Sequence, residues 1–538
     1  MYIKQRFFFI IQSIHCCLNN IIVNLTHLNI AMPIIGKLIK KTTALAYKRN
    51  YNKGKEYINQ LNTLQQLIEK AEWTSFGQAN SFSVIRASED QVAAYQQFVS
   101  ITDYESFYHE WLQLTIAGEK DHTWPGRIKH FALSSGTTGS ASKRIPVTDE
   151  VIRSFQKTGL RQISILHELN LPETFFASSM LAVGGCTKLT QKKTHIEGDL
   201  SGILKKYTSF VVTPFAKPGN RIAGIKDWNT KLQKMVEKAP DWNIGILMGV
   251  PSWCIMLMEK IVEHYKVEHI HQIWPNLSVY VHGGVFMNPY IPRLEKVLGK
   301  PIHLLDTYLA SEGYFAYQQS IHDEGMSLLL NTGIFYEFVP FNSDHFDDEG
   351  NLKDKHTAYT ISEVIEGIDY ALVISTNAGL WRYMIGDLVR FTNVHQREIK
   401  ITGRIKQFLS LAGEHLSLDN INTAIDVASR KFGCTISEFC IVADHKSLVH
   451  EWYLGSSDLL EPNNFLSEVD GELSRINDDY AAVRKYMLKK PTGKILPVQT
   501  FYDFMDANGK AGSQNKFPRV MTTHQAEHWK VFLETRKG

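Results

Sequence analysis

A chain of 538 residues, 44% hydrophobic and 21% charged, reads as globular and too long for one compact core, so about two to four structural units are expected. Its 58 basic and 55 acidic side chains leave a net charge of +3, which excludes a general electrostatic footprint for nucleic acid and suits a small, locally held anion. Cys16, Cys17, Cys186, Cys254, Cys434 and Cys440 show no paired metal spacing, which fits a reducing cytoplasm.

At the N-terminus, Phe7-Phe8-Phe9-Ile10-Ile11 after Lys4 and Arg6 imitates a signal peptide. Gln12, Ser13 and His15 break the apolar run, no small-residue cleavage site follows, and the run is far shorter than the ~20 residues of a membrane helix. Residues 1–31 are therefore expected to be a non-native or unstructured extension ahead of a start at Met32, against the rival of a targeting or interaction segment. No later segment has the length to span a bilayer, so no membrane partner is expected.

Helical spacing runs through Tyr57, Leu61, Leu64 and Leu67-Ile68, and again through Tyr104, Phe107, Tyr108, Trp111 and Leu112. The apolar run Phe131-Ala132-Leu133 then empties into Ser134-Ser135-Gly136-Thr137-Thr138-Gly139, with Lys143-Arg144 close behind. Hydroxyls, glycines and a cation after a short strand build a nest of donors for a polyphosphate. The spacing is not that of a Walker loop, because Ser140 follows Gly139 and the lysine comes later. The alternative reading is a Ser/Gly-rich surface turn. A helix over 151–169, preceded by Thr148-Asp149-Glu150, would place the loop between strand and helix.

Leu277 to Val281 reads as a buried strand ending in Gly283-Gly284, and Pro301 to Leu305 as another ending in Asp306-Thr307-Tyr308. A helix over 290–298 would make them parallel neighbours. Tyr308-Leu309-Ala310-Ser311-Glu312-Gly313 follows a strand's carboxyl end, where α/β sheets place ligands. A carboxylate there, near phosphates, is suited to hold Mg²⁺ through oxygen; the alternative is a solvated loop residue.

Beyond Leu328, strands are expected over 328–338, 371–375 and 387–392, with a turn at Asn377-Ala378-Gly379. Trp381-Arg382-Tyr383-Met384-Ile385-Gly386-Asp387 presents a carboxylate after a glycine, suited to accept hydrogen bonds from two ribose hydroxyls, or else forms a hairpin with a charged tip. Thr402-Gly403-Arg404-Ile405-Lys406 reads as the opening of a small C-terminal domain or as a basic linker. Helix and strand patterns then restart over 418–432, 438–443 and 465–486.

In this order the motifs, with Trp124-Pro125-Gly126 ahead of them and Gly512-Ser513-Gln514-Asn515-Lys516-Phe517-Pro518-Arg519 behind, resemble the adenylate-forming enzymes. More closely they resemble the Gretchen Hagen (auxin-responsive) family of acyl-acid amido synthetases, over a stretch from about Met32 to the C-terminus. The resemblance implies an α/β fold with a large adenylate-forming domain over 32–402, containing a β-rich subdomain, and a small mobile lid over 403–538. It also implies ATP-dependent activation of a carboxylic acid to an acyl-adenylate, then transfer to an amine, usually of an amino acid. In that picture Ser134, Ser135, Thr137 and Thr138 hold the β- and γ-phosphates with Lys143 nearby, and Gly283, Gly284 and Tyr308 line the adenine. Glu312 serves a magnesium ion, Asp387 and Arg404 hold the ribose, Lys406 is the hinge and Lys516 is the mobile catalytic cation. Lys494, in Lys490-Pro491-Thr492-Gly493-Lys494, competes for that last role; Pro518-Arg519 favours Lys516.

Two residues depart from the family pattern: Trp381 stands where Tyr is more frequent, and Gln407 where an acidic residue is frequent. The rival activities are an acyl-CoA ligase, which shares the nucleotide residues, and a catalytically silent binding protein of the same fold. His269 and His271 read as core or surface residues, and the Ser134-Ser135 pair lacks a hydrolase elbow. Trp253 and Tyr314 either border the acyl substrate or pack the core.

Overall fold

The computed structural model describes residue 40 and residues 56–134, 143–208, 213–284, 287–347, 350–405, 409, 411, 416–444, 447–509 and 516–536. Ser135, Gly136, Thr137, Thr138, Gly139, Lys406 and Gln407, singled out above, lie outside them, as do residues 1–31.

An 11-stranded sheet organises the larger part of the chain, from Ile334–Pro340 at one edge to Ala216–Lys217 at the other. Its two halves are built differently. His303–Ala310, Val279–Gly283, Ile244–Gly249, Ser179–Val183 and Ala216–Lys217 run parallel. Both faces of this half are covered. Trp228–Lys238, Pro251–Tyr265 and Ile291–Val297 pack one side through Leu232, Met258 and Leu294, while Leu166, Phe175 and Phe176 pack Val279, Val281 and Leu305 on the other. Continuous apolar strands such as Val279–Gly283 suit this double burial.

The other half, from Gly313–Tyr317 through Met326–Leu328, Glu398–Arg404, Tyr383–Asn393 and Asp369–Thr376 to Ile334–Pro340, is antiparallel throughout. Helix Glu56–Ala71 packs there through Leu64, Leu67 and Ile68. The expected strand over 328–338 is two strands, because Asn331-Thr332-Gly333 turns between them with Gly333 at φ +82°. Asp387 sits inside Tyr383–Asn393 rather than at a hairpin tip, the turn having been completed by Arg382 at φ +38°.

A second correction concerns the phosphate-type loop. His130–Ser134 and Lys143–Val147 pair antiparallel, with Ser134 opposite Lys143, and helix Asp149–Ser164 begins only after the second strand. The loop therefore joins two strands, and a helix N-terminus does not follow it. Pro146 and the two cations disguised a strand whose apolar Ile145 and Val147 point inward.

The C-terminal part carries its own 4-stranded sheet in the order Thr492–Leu496, Val449–Gly455, Glu438–Asp444, Val520–Met521. Helices Leu418–Phe432 and Pro462–Ile476 cover one face, Val498–Ala507 and Thr523–Thr535 the other. Ser417 caps Leu418–Phe432 with a reciprocal hydrogen-bond box and Gly433 ends it in the left-handed region. The helix expected over 465–486 is two, divided at Asn477, whose side chain caps the second. Gly403 and Arg404, expected to open this part, complete the last strand of the large sheet instead.

Candidate active site

The parallel half of the large sheet hands over to the antiparallel half at His303–Ala310, and the candidate residues gather around that strand. Gly283 ends the neighbouring parallel strand opposite Thr307; a Cβ there would lie 2.2 Å from the Thr307 carbonyl oxygen. Gly284 follows at φ +84°, and a Cβ on it would meet Lys516 Nζ at 3.1 Å and Cε at 3.2 Å. The positive φ favours glycine, and the missing Cβ lets the lysine end come close.

Tyr308 is buried within the strand and donates its hydroxyl to Asp387 Oδ2 at 2.6 Å. Asp387 faces Arg404 across the antiparallel pair, and Arg404 Nε donates to Asp387 Oδ1 at 2.6 Å. Burial opposes charge on Asp387, but the guanidinium and the phenol outweigh it and hold the carboxyl below its usual range. Ser311 and Glu312 make the tight turn from His303–Ala310 into Gly313–Tyr317. Burial pushes the Glu312 carboxyl up, with Lys143 pulling the other way and Asp387 adding to the rise.

Lys143 opens its strand opposite Ser134, with Nζ 4.9 Å from the centre of the Tyr104 ring. Burial pushes its ammonium down and Glu312 opposes that. Lys516 is exposed to solvent, with the end of its side chain against Gly284. Desolvation pushes its ammonium down, Arg404 adding to this and Asp387 opposing, while solvent on the open side moderates the shift.

Lys516, Gly284, Tyr308, Asp387, Arg404, Glu312 and Lys143 are thus brought together, with Ser134 at the end of the strand leading in. Lys494 is not among them: it lies on Thr492–Leu496 with Nζ 5.9 Å from the Tyr453 ring. The other sequence candidates have structural roles. Trp253 packs edge-on against Trp228 in the core, and the Tyr314 hydroxyl is tied between Thr307 and Gln162. His271 bonds the Leu277 carbonyl and accepts from Gly299 N–H.

Residue matches to family models cover most of the chain: the GH3 family N-terminal domain over 55–196 and 167–302, its central domain over 327–404 and its C-terminal domain over 419–525. The chain belongs to the GH3 family. Among curated relatives, indole-3-acetic acid-amido synthetase GH3.2 of Arabidopsis thaliana is 30% identical over 214 residues, 37% of this chain and 38% of that protein. Probable indole-3-acetic acid-amido synthetase GH3.1 of Oryza sativa subsp. japonica is 26% identical over 445 residues, 69% and 70%. The chain spans less than half the length of the first curated relatives it matches. Among solved structures, GH3.15 acyl acid amido synthetase superposes with a TM-score of 0.74 at 16% identity, over 92% of this chain and 96% of that one. A 2-hydroxyisobutyryl-CoA ligase in the postadenylation state superposes with a TM-score of 0.56 at 16% identity, over 89% and 90%. The fold is therefore that of the adenylate-forming enzymes.

In this GH3-family chain the departure at Trp381 is absorbed by packing. Its ring stacks on Phe76 at 5.6 Å and its Nε1 donates to the Thr123 carbonyl at 3.0 Å. Three residues beside the site were not assigned to it by the sequence reading. Tyr104, read only as part of a helical stripe, supports Lys143 with its ring and accepts from Arg144 N–H through its hydroxyl at 2.8 Å. His282 and Asp306 stand opposite each other beside the Gly283–Thr307 pair, their Nδ1 and Oδ1 3.5 Å apart. Burial lowers His282 to about 4 and raises Asp306 to about 6. Their places flanking two motif glycine and tyrosine segments were the available signal.

Proposed function

We propose that the protein is an ATP-dependent acyl-acid amido synthetase: it adenylates a carboxylic acid, releases pyrophosphate, and transfers the acyl group to the nitrogen of an amine, with an amino acid the favoured acceptor. The observation that carries this reading is the approach of Lys516, from the C-terminal part, to Gly284 beside the Asp387–Arg404–Tyr308 cluster.

Attack of one anion on another requires that charge be neutralised and the reacting groups held in line. Gly283, Gly284 and Tyr308 line the adenine. Asp387 receives the ribose: each of its oxygens accepts one protein hydrogen bond and retains a second acceptor site for a hydroxyl. Arg404 keeps that carboxylate ionised. Ser134, Ser135, Thr137, Thr138 and Lys143 hold the β- and γ-phosphates, and Lys516 faces the α-phosphate and the acyl oxygen.

Magnesium fits the site in one form only. Among the described residues no group of three or more His, Cys, Asp or Glu side chains is placed to hold a metal, whereas Glu312 is a buried carboxylate beside the Lys143 charge. That suits an ion bound by one protein carboxylate plus substrate phosphate oxygens; Glu312 would hold it, and it would supply charge neutralisation. We take the working division to be a large nucleotide- and acid-binding part and a lid hinged near Lys406, which delivers Lys516 and then withdraws it.

The test is a panel of carboxylic acids offered with each amino acid and, separately, with CoA, scored for AMP release. Acid- and amine-dependent AMP with an amide product supports the reading. AMP release only with CoA makes the protein an acyl-CoA ligase, and ADP as the nucleotide product removes adenylation altogether.

A further inference from the structure

The contact that brings Lys516 to Gly284 is backed by a buried polar cluster lying between the two parts of the chain. Arg519, three positions after Lys516 in the sequence, directs NH1 at Glu438 Oε2 at 2.7 Å and donates NH2 to the Tyr290 hydroxyl at 3.0 Å. Tyr290 in turn donates to Glu438 Oε1 at 3.1 Å, and Tyr502 donates to the same oxygen at 3.2 Å. Arg293 NH1 donates to the Tyr502 hydroxyl at 3.1 Å while its other nitrogens grip Glu259 at 3.1 and 2.7 Å.

Glu438, Tyr502 and Arg519 belong to the C-terminal part; Glu259, Tyr290 and Arg293 belong to the large part. Tyr290 stands on the segment that leaves Gly284 and enters helix Ile291–Val297. One short stretch of the large part therefore presents both the glycine that Lys516 faces and the phenol that receives Arg519. We propose that Tyr290, Glu438 and Arg519 form an interdomain latch that positions Lys516 and selects the conformer in which adenylation occurs.

The construction is reversible for a physical reason. The charged pair Glu438–Arg519 lies wholly within the C-terminal part, where Glu438 opens the strand next to Val520–Met521 and the Arg519 carbonyl accepts from Ile441 N–H at 2.8 Å. Removing one partner of a buried ion pair is costly, but here the pair travels together. At this cluster, opening breaks the hydrogen bonds that Tyr290 exchanges with Glu438 and Arg519 and the one from Arg293 to Tyr502, which water replaces at small net cost.

This inference rests on the adenylation reading, and its test separates the two. Pyrophosphate exchange requires the latched conformer, whereas amide formation from a supplied acyl-adenylate requires the released one, so the ratio of the two rates follows the conformer ratio whichever conformer predominates. Tyr290→Phe removes one hydroxyl and should lower that ratio roughly tenfold to a hundredfold, the weight of a hydrogen bond to a charged group. Loss of both rates in parallel, as a merely structural role predicts, overturns the latch. A second measurement needs no substrate: spin labels at the exposed Lys260 and Glu527 report the interdomain distance. Tyr290→Phe combined with Arg293→Gln should add a new distance population; an unchanged distribution overturns the latch. If the distances shift but the wild type exchanges no pyrophosphate with any acid, the latch stands and the adenylation reading falls.

Discussion

Two arginine–carboxylate pairs on the antiparallel half of the sheet show how similar chemistry is put to different ends. Arg382 and Glu337 are 4% and 1% exposed; the guanidinium grips both carboxylate oxygens and spends its remaining nitrogen on the Gln96 and Val99 carbonyls. That pair is closed. It fastens the segment between helices Gln91–Phe98 and Tyr104–Phe107 to the sheet. Arg404 makes one contact to Asp387 through Nε and its side chain is 41% exposed. A buried arginine with all donors used stabilises; a half-exposed one held by a single nitrogen is equipped to meet a ligand.

The largest effect should come from opening the closed pair. Glu337→Ala leaves a buried guanidinium without its carboxylate and should cost about 3–5 kcal/mol of stability in a denaturant titration, while ATP affinity per folded molecule stays unchanged. Loss of nucleotide affinity at full stability would move Arg382 into the site. Asp387→Ala should do the reverse, weakening ATP binding by roughly 1.5–3 kcal/mol by calorimetry. Its stability cost should be the smaller of the two, about 1–3 kcal/mol, because the half-exposed Arg404 is solvated once its partner is gone and only the buried Tyr308 hydroxyl loses its acceptor.

The contrast between these pairs also explains what could be read in advance. Arg382 and Asp387 lie five positions apart in one motif, and sequence alone ranks them together. Their roles separate only when burial and strand register are known, since Arg404 reaches Asp387 through the pairing of Glu398–Arg404 with Tyr383–Asn393. The α/β class, the parallel pair around Gly283 and Thr307, and the Asn377 turn were legible because apolar runs and turn residues mark them locally. Lys143–Val147 was hidden by Pro146 and two cations, and Asn477 ended one helix while capping the next inside a continuous apolar pattern. Tyr290 and Glu438 carried no local signal, since their significance arises only where the two parts of the chain meet.

Smaller effects sharpen the same contrast on the C-terminal side. The Lys516 ammonium, lowered mainly by desolvation, loses its charge at lower pH than an ordinary lysine. The kcat/KM for ATP in pyrophosphate exchange should therefore fall as the pH rises above neutrality, and Lys516→Arg should move the fall to higher pH. A profile flat through this range in the wild type would separate the lysine's charge from the reaction. Smallest of all, Lys494→Ala should change stability by no more than about 0.5 kcal/mol, the range for exposed surface positions.

In the proposed reaction the C-terminal part serves the nucleotide through Lys516 and not Lys494. Acid-dependent pyrophosphate exchange, measured side by side in the two alanine variants, tests it most directly. Lys516→Ala should lose about 10²- to 10³-fold, the weight of one donor to developing negative charge, while Lys494→Ala exchanges at the wild-type rate. A defect in Lys494→Ala with full exchange in Lys516→Ala, or full exchange in both, would contradict it.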